Sequence, residues 1–451
     1  RDSLSCNYAM QTISSSVAAA DPPGVTDLIR FAVVATDGST YAFGDTGRIY
    51  SIAGHSADPV IVFRASDSNG TVKGAAEWKE SSGIDYLYWS TGTSVARKVL
   101  PGNDAWGDET INYKTTLDNA DWHTMKNASG NLTICNGNFL ATIGYDGTFD
   151  PADLNLRPGN FAKCLEERDN FVLIGSERSD ESEEGHIWGW DSTEANWSLK
   201  KKIPVKGINS LIDTEVTILQ GGTDGEMFFS DFANTTPLNA APDGGTTNPG
   251  GATIFDDLAT FGIYGTTSNL NPWIYTYGRK MRNRPFAFNY PYRLAATVNG
   301  STVTEIGAVW SAHDTLFASW KTVDGSVTEY GVDMLSSTTR ATARYEALEF
   351  TGGQPHLSKH FNSLKFILES LPSGTSLNAI YKMNRNADWR YANVANSNST
   401  TFSTVGATEA EFIIADEGRV YEIGTILNPS GSSTPEVSAI ATYLDNQAKE
   451  H

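Results

Sequence analysis

A short apolar strand, a polar turn and a second apolar strand recur along this chain at a nearly constant interval, and that recurrence limits the fold more than any other feature. The paired runs begin near Tyr41 and Ile49. They return near Tyr86 and Val95, Leu132 and Ala141, Phe171 and Ile187, Val216 and Met227, Ile263 and Ile274, and Leu316 and Val327. Successive starts lie 45, 46, 39, 45, 47 and 53 residues apart. Helical spacing is almost absent, and Gly, Asn, Asp or Ser interrupts the apolar runs about every 8–12 residues, which is the all-β pattern. A unit of roughly 40–50 residues holding several short strands is the period of a propeller blade. One such blade cannot cover both of its faces, so blades must stack on one another around an axis. The chain is therefore expected to be all-β, with a propeller of about seven blades over residues 28–338.

From about Ala341 the pattern changes. ARYEALEF, HFNSLKFILES, SLNAIYKM, WRYANV, EAEFIIADEGRVYEIGTIL and PEVSAIATYL alternate with polar turns. That is enough strands for a separate C-terminal β-sandwich, placed at 339–446, with a frayed polar tail at 447–451. Residues 1–27 are largely small and polar with a proline pair near their end, and read as an N-terminal arm available to neighbouring chains. Two stretches interrupt the repeat. Residues 234–253 are rich in Pro, Gly, Thr and Asn and read as an exposed loop. Residues 279–293 mix Arg with aromatics; a blade edge packing its own loop is preferred there over a ligand platform.

The net charge of −20 and the pI near 4.7 set limits on partners. Nucleic-acid recognition needs clustered Lys and Arg to neutralise phosphate. Only 200–202 and 279–284 concentrate base, so sequence-specific nucleic-acid binding is not expected. An acidic wall would instead let DNA pass without adhering. No apolar run is long enough for a membrane span. Cys6, Cys135 and Cys164 form no disulfide framework and read as buried small hydrophobes.

Catalytic and metal motifs find no support. His356 and His360 are spaced like a zinc pair, but Leu357 stands where a catalytic glutamate would follow, in an apparent loop before a strand. Glu177, Asp180, Glu181, Glu183 and Glu184 crowd one loop, as do Asp146, Asp150 and Asp153. Neither has EF-hand spacing, and a solvated hairpin tip is preferred to Ca²⁺ binding. GxSxG, P-loop and GxGxxG motifs are absent. No catalytic, cofactor-binding or metal residue is assigned, no cofactor is expected, and the chain is read as a non-enzyme. Seven N-x-S/T sequons match chance in so Asn-, Ser- and Thr-rich a sequence. Trp89, Trp106, Trp122, Trp188, Trp190 and Trp197 could stack on sugars, yet blade cores use the same residues.

The strings GAAEWKESSGIDYLYWSTGTSVARKVL (74–100), LDNADWHTMKNASGNLTICNGNFLATIGYDGTFDPADLNLRPG (117–159) and FVLIGSERSDESEEGHIWGWD (171–191) resemble blades of the β-propeller structural proteins of tailed-bacteriophage virions. EYGVDML (329–335) and FNSLKFILESLPSGTSLNAIYKMNRNADWR (361–390) are similar to the sandwich that follows the propeller in such proteins. The resemblance implies a head–tail connector, tail or fibre component that contacts other virion proteins and copies of itself in a ring or appendage. It carries no active site with it. The alternative is a carbohydrate-binding or carbohydrate-active propeller, at a phage tip on a host-surface glycan or secreted.

Overall fold

A computed structural model of the chain describes residues 4–16, 24–53, 59–100, 106–169, 171–180, 184–222, 226–230, 234–238, 245–265, 272–279, 286–298, 302–347, 349–351, 353, 356–386 and 388–445. The chain divides into two compact units, Met10–Leu335 and a second made of Arg1–Ala9 with Ser336–His451.

The first unit is a seven-bladed propeller. Its first blade comprises Ile29–Val34, Thr40–Gly44, Arg48–Ala53 and Val60–Ser66, and Ser14–Ser16 adds a parallel strand beside the last of these. The next four blades each take four consecutive antiparallel strands, over 72–115, 125–155, 160–203 and 208–237. In the sixth, Leu258–Gly265, Trp273–Gly278 and Ala287–Arg293 are joined by Gly245–Thr246 and Ala252–Phe255. The seventh takes Val303–Ala312, Thr315–Asp324 and Val327–Arg340. Each apolar pair found in the sequence is the second and third strand of one blade. These strands read as continuous apolar runs because neighbouring blades cover both faces: Thr40–Gly44, Gly185–Trp190 and Thr217–Gly221 are buried at every position.

The first strand of each blade lies innermost and packs beside its counterparts on either side, and Val303–Ala312 lies beside Ile29–Val34 to complete the circle. At that seam Ser319 Oγ donates to Ile29 O at 2.7 Å. A Cβ on Gly307 would stand 2.0 Å from the same carbonyl, so only glycine permits the approach.

The N-terminal segment corrects the expectation of a free arm. Tyr8–Thr12 is the fourth, outermost strand of the seventh blade. Met10, 5% exposed, packs with Leu294, Val309 and Trp320. Thr12 Oγ1 donates to Asp333 at 2.8 Å, and Ile13 N to Val332 O at 2.9 Å. Without this strand the outer edge of the blade would keep its donors and acceptors unsatisfied. Leu4 forms a bridge with Val437, and Cys6 is buried in the core of the second unit. The segment therefore serves both units, and the propeller starts at Met10 rather than at residue 28. Residues 17–23 and the tail at 447–451 lie outside the described residues.

The second unit holds two four-stranded antiparallel sheets. One orders Asn393–Val394, Glu409–Gly418, Lys359–Leu368 and Val437–Asp445; the other orders Ala343–Glu346, Tyr421–Asn428, Ser376–Met383 and Arg390–Tyr391. Alternate residues of both enclose one core, with Phe361, Phe366 and Phe412 from the first and Leu377, Tyr381 and Tyr421 from the second. This is the arrangement expected of a sandwich.

Candidate functional site

Residues from four blades converge at the end of the propeller where the innermost strands begin. Blades one, three, six and seven are not all neighbours, so their side chains can meet only near the axis. Arg30 is the second residue of the first innermost strand, Ile29–Val34. Its Nε donates to Asp45, in the turn after Thr40–Gly44. Its Nη1 lies 3.4 Å from Asn248 Oδ1 and 3.5 Å from Glu305 Oε1. The guanidinium stands 5.4 Å from the ring of Trp122, which leads into the innermost strand of blade three and packs edge-on to Phe31.

Asn248 is held by a bond from Nδ2 to Ile306 O at 2.8 Å. Tyr264 OH reaches Asn248 Oδ1 at 3.3 Å and Glu305 Oε1 at 3.5 Å. Burial works against the Arg30 cation, but Asp45 and Glu305 outweigh it and hold its pKa above the ordinary value. Burial, reinforced by the Glu305 charge, pushes the Tyr264 phenol up. One cation and two carboxylates leave the cluster with a single formal negative charge.

The stretch 234–253, expected as an exposed loop, builds part of this cluster. Residues 239–244 lie outside the described residues, but Thr247 and Asn248 are buried. A Cβ on Gly250 would come within 2.1 Å of Arg30 O, so glycine is what lets blade six approach blade one. Gly250 and Gly251, which looked like loop punctuation, are close-approach positions.

A second polar centre lies within blade two. Arg97 is stacked between Tyr86 and Tyr113, 4.3 and 3.6 Å from their centroids, and donates to Glu80 at 2.6 Å. Burial opposes the Glu80 carboxylate, but bonds from Tyr88, Arg97 and Tyr113 prevail and hold its pKa below the usual range. In both centres cation and carboxylate satisfy each other, and at the axis they also join blades.

Of the residues singled out in the sequence, Trp122 stands beside the axial cluster; the other described ones lie elsewhere. Trp89, Trp188 and Trp190 are buried core residues whose indole N–H groups donate to Asp67, Ser176 and Glu194 O. Trp106 packs on Tyr41, and Trp197 on Trp188. Asp146 caps its own turn through Thr148, Asp150 accepts from Ala152 N and Asp153 from Thr142. Glu177 pairs with Lys163, Asp180 with Arg178, and Glu184 with Lys202; Glu181 and Glu183 lie outside the described residues. His360 sits within the strand Lys359–Leu368 rather than in a loop, while His356 stays in the preceding turn. All three cysteines are buried and free, as expected. Of 279–293, Arg279 pairs with Glu215 and stacks on Phe286, and Ala287–Arg293 is the outer strand of blade six; 280–285 lie outside the described residues. Among the described residues no three His, Cys, Asp or Glu side chains gather as metal ligands, and no helix is long and apolar enough to cross a membrane.

Sequence reading passed over Arg30, Asp45, Asn248, Tyr264 and Glu305. One signal was present: Arg30 in IRFAVV and Glu305 in VTEIGAVW are lone charges near the start of otherwise apolar innermost strands.

No protein-family model and no curated protein sequence matches the chain. Among solved structures, it is similar to U3-55K at 9% identity and a TM-score of 0.46, over 69% of this chain and 96% of that one. It is similar to the WD40 β-propeller domain of Doa1 at 13% identity and 0.43, over 73% and 97%. An exo-β-1,3-galactanase from Phanerochaete chrysosporium aligns at 8% identity and 0.36, over 97% and 100%. The propeller assignment stands on the seven sheets themselves.

Proposed function

We propose that this chain is a non-catalytic structural component of a tailed-phage virion, a head–tail connector, tail or appendage protein working beside other virion proteins and copies of itself. The sequence resemblance over 74–100, 117–159, 171–191 and the C-terminal segments supports the virion setting. The observation that carries the non-catalytic part is the bridging of Asp45 and Glu305 by Arg30. A carboxylate pair that hydrolyses a glycosidic bond needs the space between the two groups for substrate and water. Here a guanidinium of the same chain engages both carboxylates. The strand from the N-terminus and the Arg30–Glu305 pair between blades one and seven suit a rigid spacer. The charge of −20 discourages adhesion to any DNA passing nearby.

The test is compositional. Virions assembled from a genome that encodes the chain should contain it at fixed stoichiometry after high-salt washing, measured by quantitative mass spectrometry. Its absence from washed particles would overturn the reading. The glycan-binding alternative rests on Trp122 beside the axial cluster. Saturable binding to a host glycan, lost in Trp122→Ala, would favour it.

A further inference from the structure

Sheet edges expose unpaired N–H and C=O groups, and folded proteins guard them with short strands, Lys, Pro or covering segments. Most outer edges of this chain follow that rule. In the propeller, Thr110–Thr115 carries Lys114, Phe149–Asn155 carries Pro151, and Leu199–Ile203 reads LKKKI. Thr235–Pro237 is three residues long. In the second unit, Asn393–Val394 and Arg390–Tyr391 have two residues each, and Ala343–Glu346 carries Arg344 and Glu346.

Val437–Asp445 breaks the pattern. It has nine residues and ends its sheet, paired on one side only with Lys359–Leu368. On its other side Leu4 bridges Val437, and no other described residue pairs with it. Its ladder is regular from Ala439 to Tyr443, between irregularities at either end. It holds no Lys, Arg, Pro or Glu, and its sole charge is the terminal Asp445. Tyr443 is 50% exposed.

We infer that this edge pairs antiparallel with the same strand of a second copy about a two-fold axis at Ala441, joining two four-stranded sheets into one. Two-fold pairing sets each residue against its mirror position. With the axis at Ala441, Tyr443 faces Ala439 of the second copy and Ile440 faces Thr442, so large side chains meet small ones on both faces. The window is also uncharged, so two molecules of charge −20 meet here without opposing like charges inside the ladder. The pairing goes beyond the virion reading, because it needs only two copies of this chain.

Sedimentation velocity of the full chain over a concentration series tests it. The wild type should show a reversible monomer–dimer equilibrium. Ala441→Glu and Ala441→Lys each place like charges directly opposite across the axis, and each should weaken dimerisation about tenfold or more. An equimolar mixture of the two should recover the dimer, which a misfolded variant could not do. Tyr443→Ser, an uncharged change at an exposed position, should weaken the dimer by a smaller factor. A wild type that stays monomeric at its highest soluble concentration overturns the inference, even if the edge then captures an extended peptide of another protein. So do single-charge variants that dimerise like the wild type. Presence in washed virions is measured on a different preparation, so each reading can fail without the other.

Discussion

The two units bury comparable chemistry in different ways. The C-terminal unit gathers Phe361, Phe366, Leu377, Phe412 and Tyr421 into one continuous core. The propeller divides its apolar residues among clusters that lie within and between neighbouring blades, such as Phe43, Leu87 and Trp89, or Leu173, Ile187 and Ile208. It ties strands and blades with polar groups: Asp333 with Trp320 and Thr12 inside blade seven, Asp67 with Trp89 between blades one and two, and Arg30 with Asp45 and Glu305 at the axis. A repeat architecture interacts mainly with its nearest neighbours, so damage should stay local unless it strikes the place where the circle closes. A single shared core offers no such isolation.

Removing residues 1–13 should therefore have the largest effect, because it strikes the closure of the propeller and the core of the other unit together. Burial of Met10 alone is worth about 2–5 kcal/mol, and the outer strand of blade seven and buried Cys6 go with it. Both calorimetric transitions should fall or merge. Unchanged transitions in the truncated protein would remove the N-terminus from the account of either unit.

Phe361→Ala comes next. The ring is fully buried and lies 5.1 Å from Tyr421 and 6.5 Å from Tyr381. A loss of about 3–5 kcal/mol is expected in the C-terminal transition alone. An equal fall in the propeller transition would mean that the units do not melt independently.

Acidification should select the propeller. His123 is fully buried; its Nε2 lies 3.0 Å from Asp118 O, and its Nδ1 has no partner among the described residues. Burial, helped by the Lys73 charge, depresses its pKa to about 4. The unfolded chain takes up this proton near pH 6.5, while the folded chain resists until about pH 4. Between those values the unfolded state binds more protons, so stability falls as pH falls, by about 3 kcal/mol in all. His186, lowered to about 4 mainly by burial, adds a second contribution of the same sign. Glu80 has the depressed-carboxylate behaviour: its contribution is present at neutral pH and is lost below the unfolded value near 4.3. Denaturant titrations from pH 7 to 4 should show the decline, and His123→Gln should flatten it. An unaltered slope in that variant would exclude His123 as its source.

The smallest effect is expected at the axial cluster. Arg30→Ala removes charge-assisted bonds in a partly exposed setting and should cost about 2 kcal/mol, in the propeller transition only. A gain in stability would show that the cation is held at a cost, as a binding group is, and would favour the ligand-site alternative.

Most of the fold was readable because a propeller repeats. Seven apolar pairs at a steady interval marked the second and third strands of the blades, where both faces are covered and apolar runs are continuous. The cluster at the axis was not readable, since Arg30 and Asn248 are 218 residues apart in sequence and no periodicity links them. The N-terminal strand was missed for a related reason. YAMQT carries little apolar pattern of its own, and becomes a strand because an unfilled edge in blade seven satisfies its backbone.

The sequence by itself determined the strands, their grouping into blades and the change of pattern near Ala341. Those features follow from local alternation and turn chemistry, which act over a few residues. Tertiary structure alone decided what completes the seventh blade, which charges meet at the axis, and that glycines in an apparent loop are points of close approach. Each depends on surfaces brought together from distant parts of the chain, where the identity of the neighbour sets the energy of a residue.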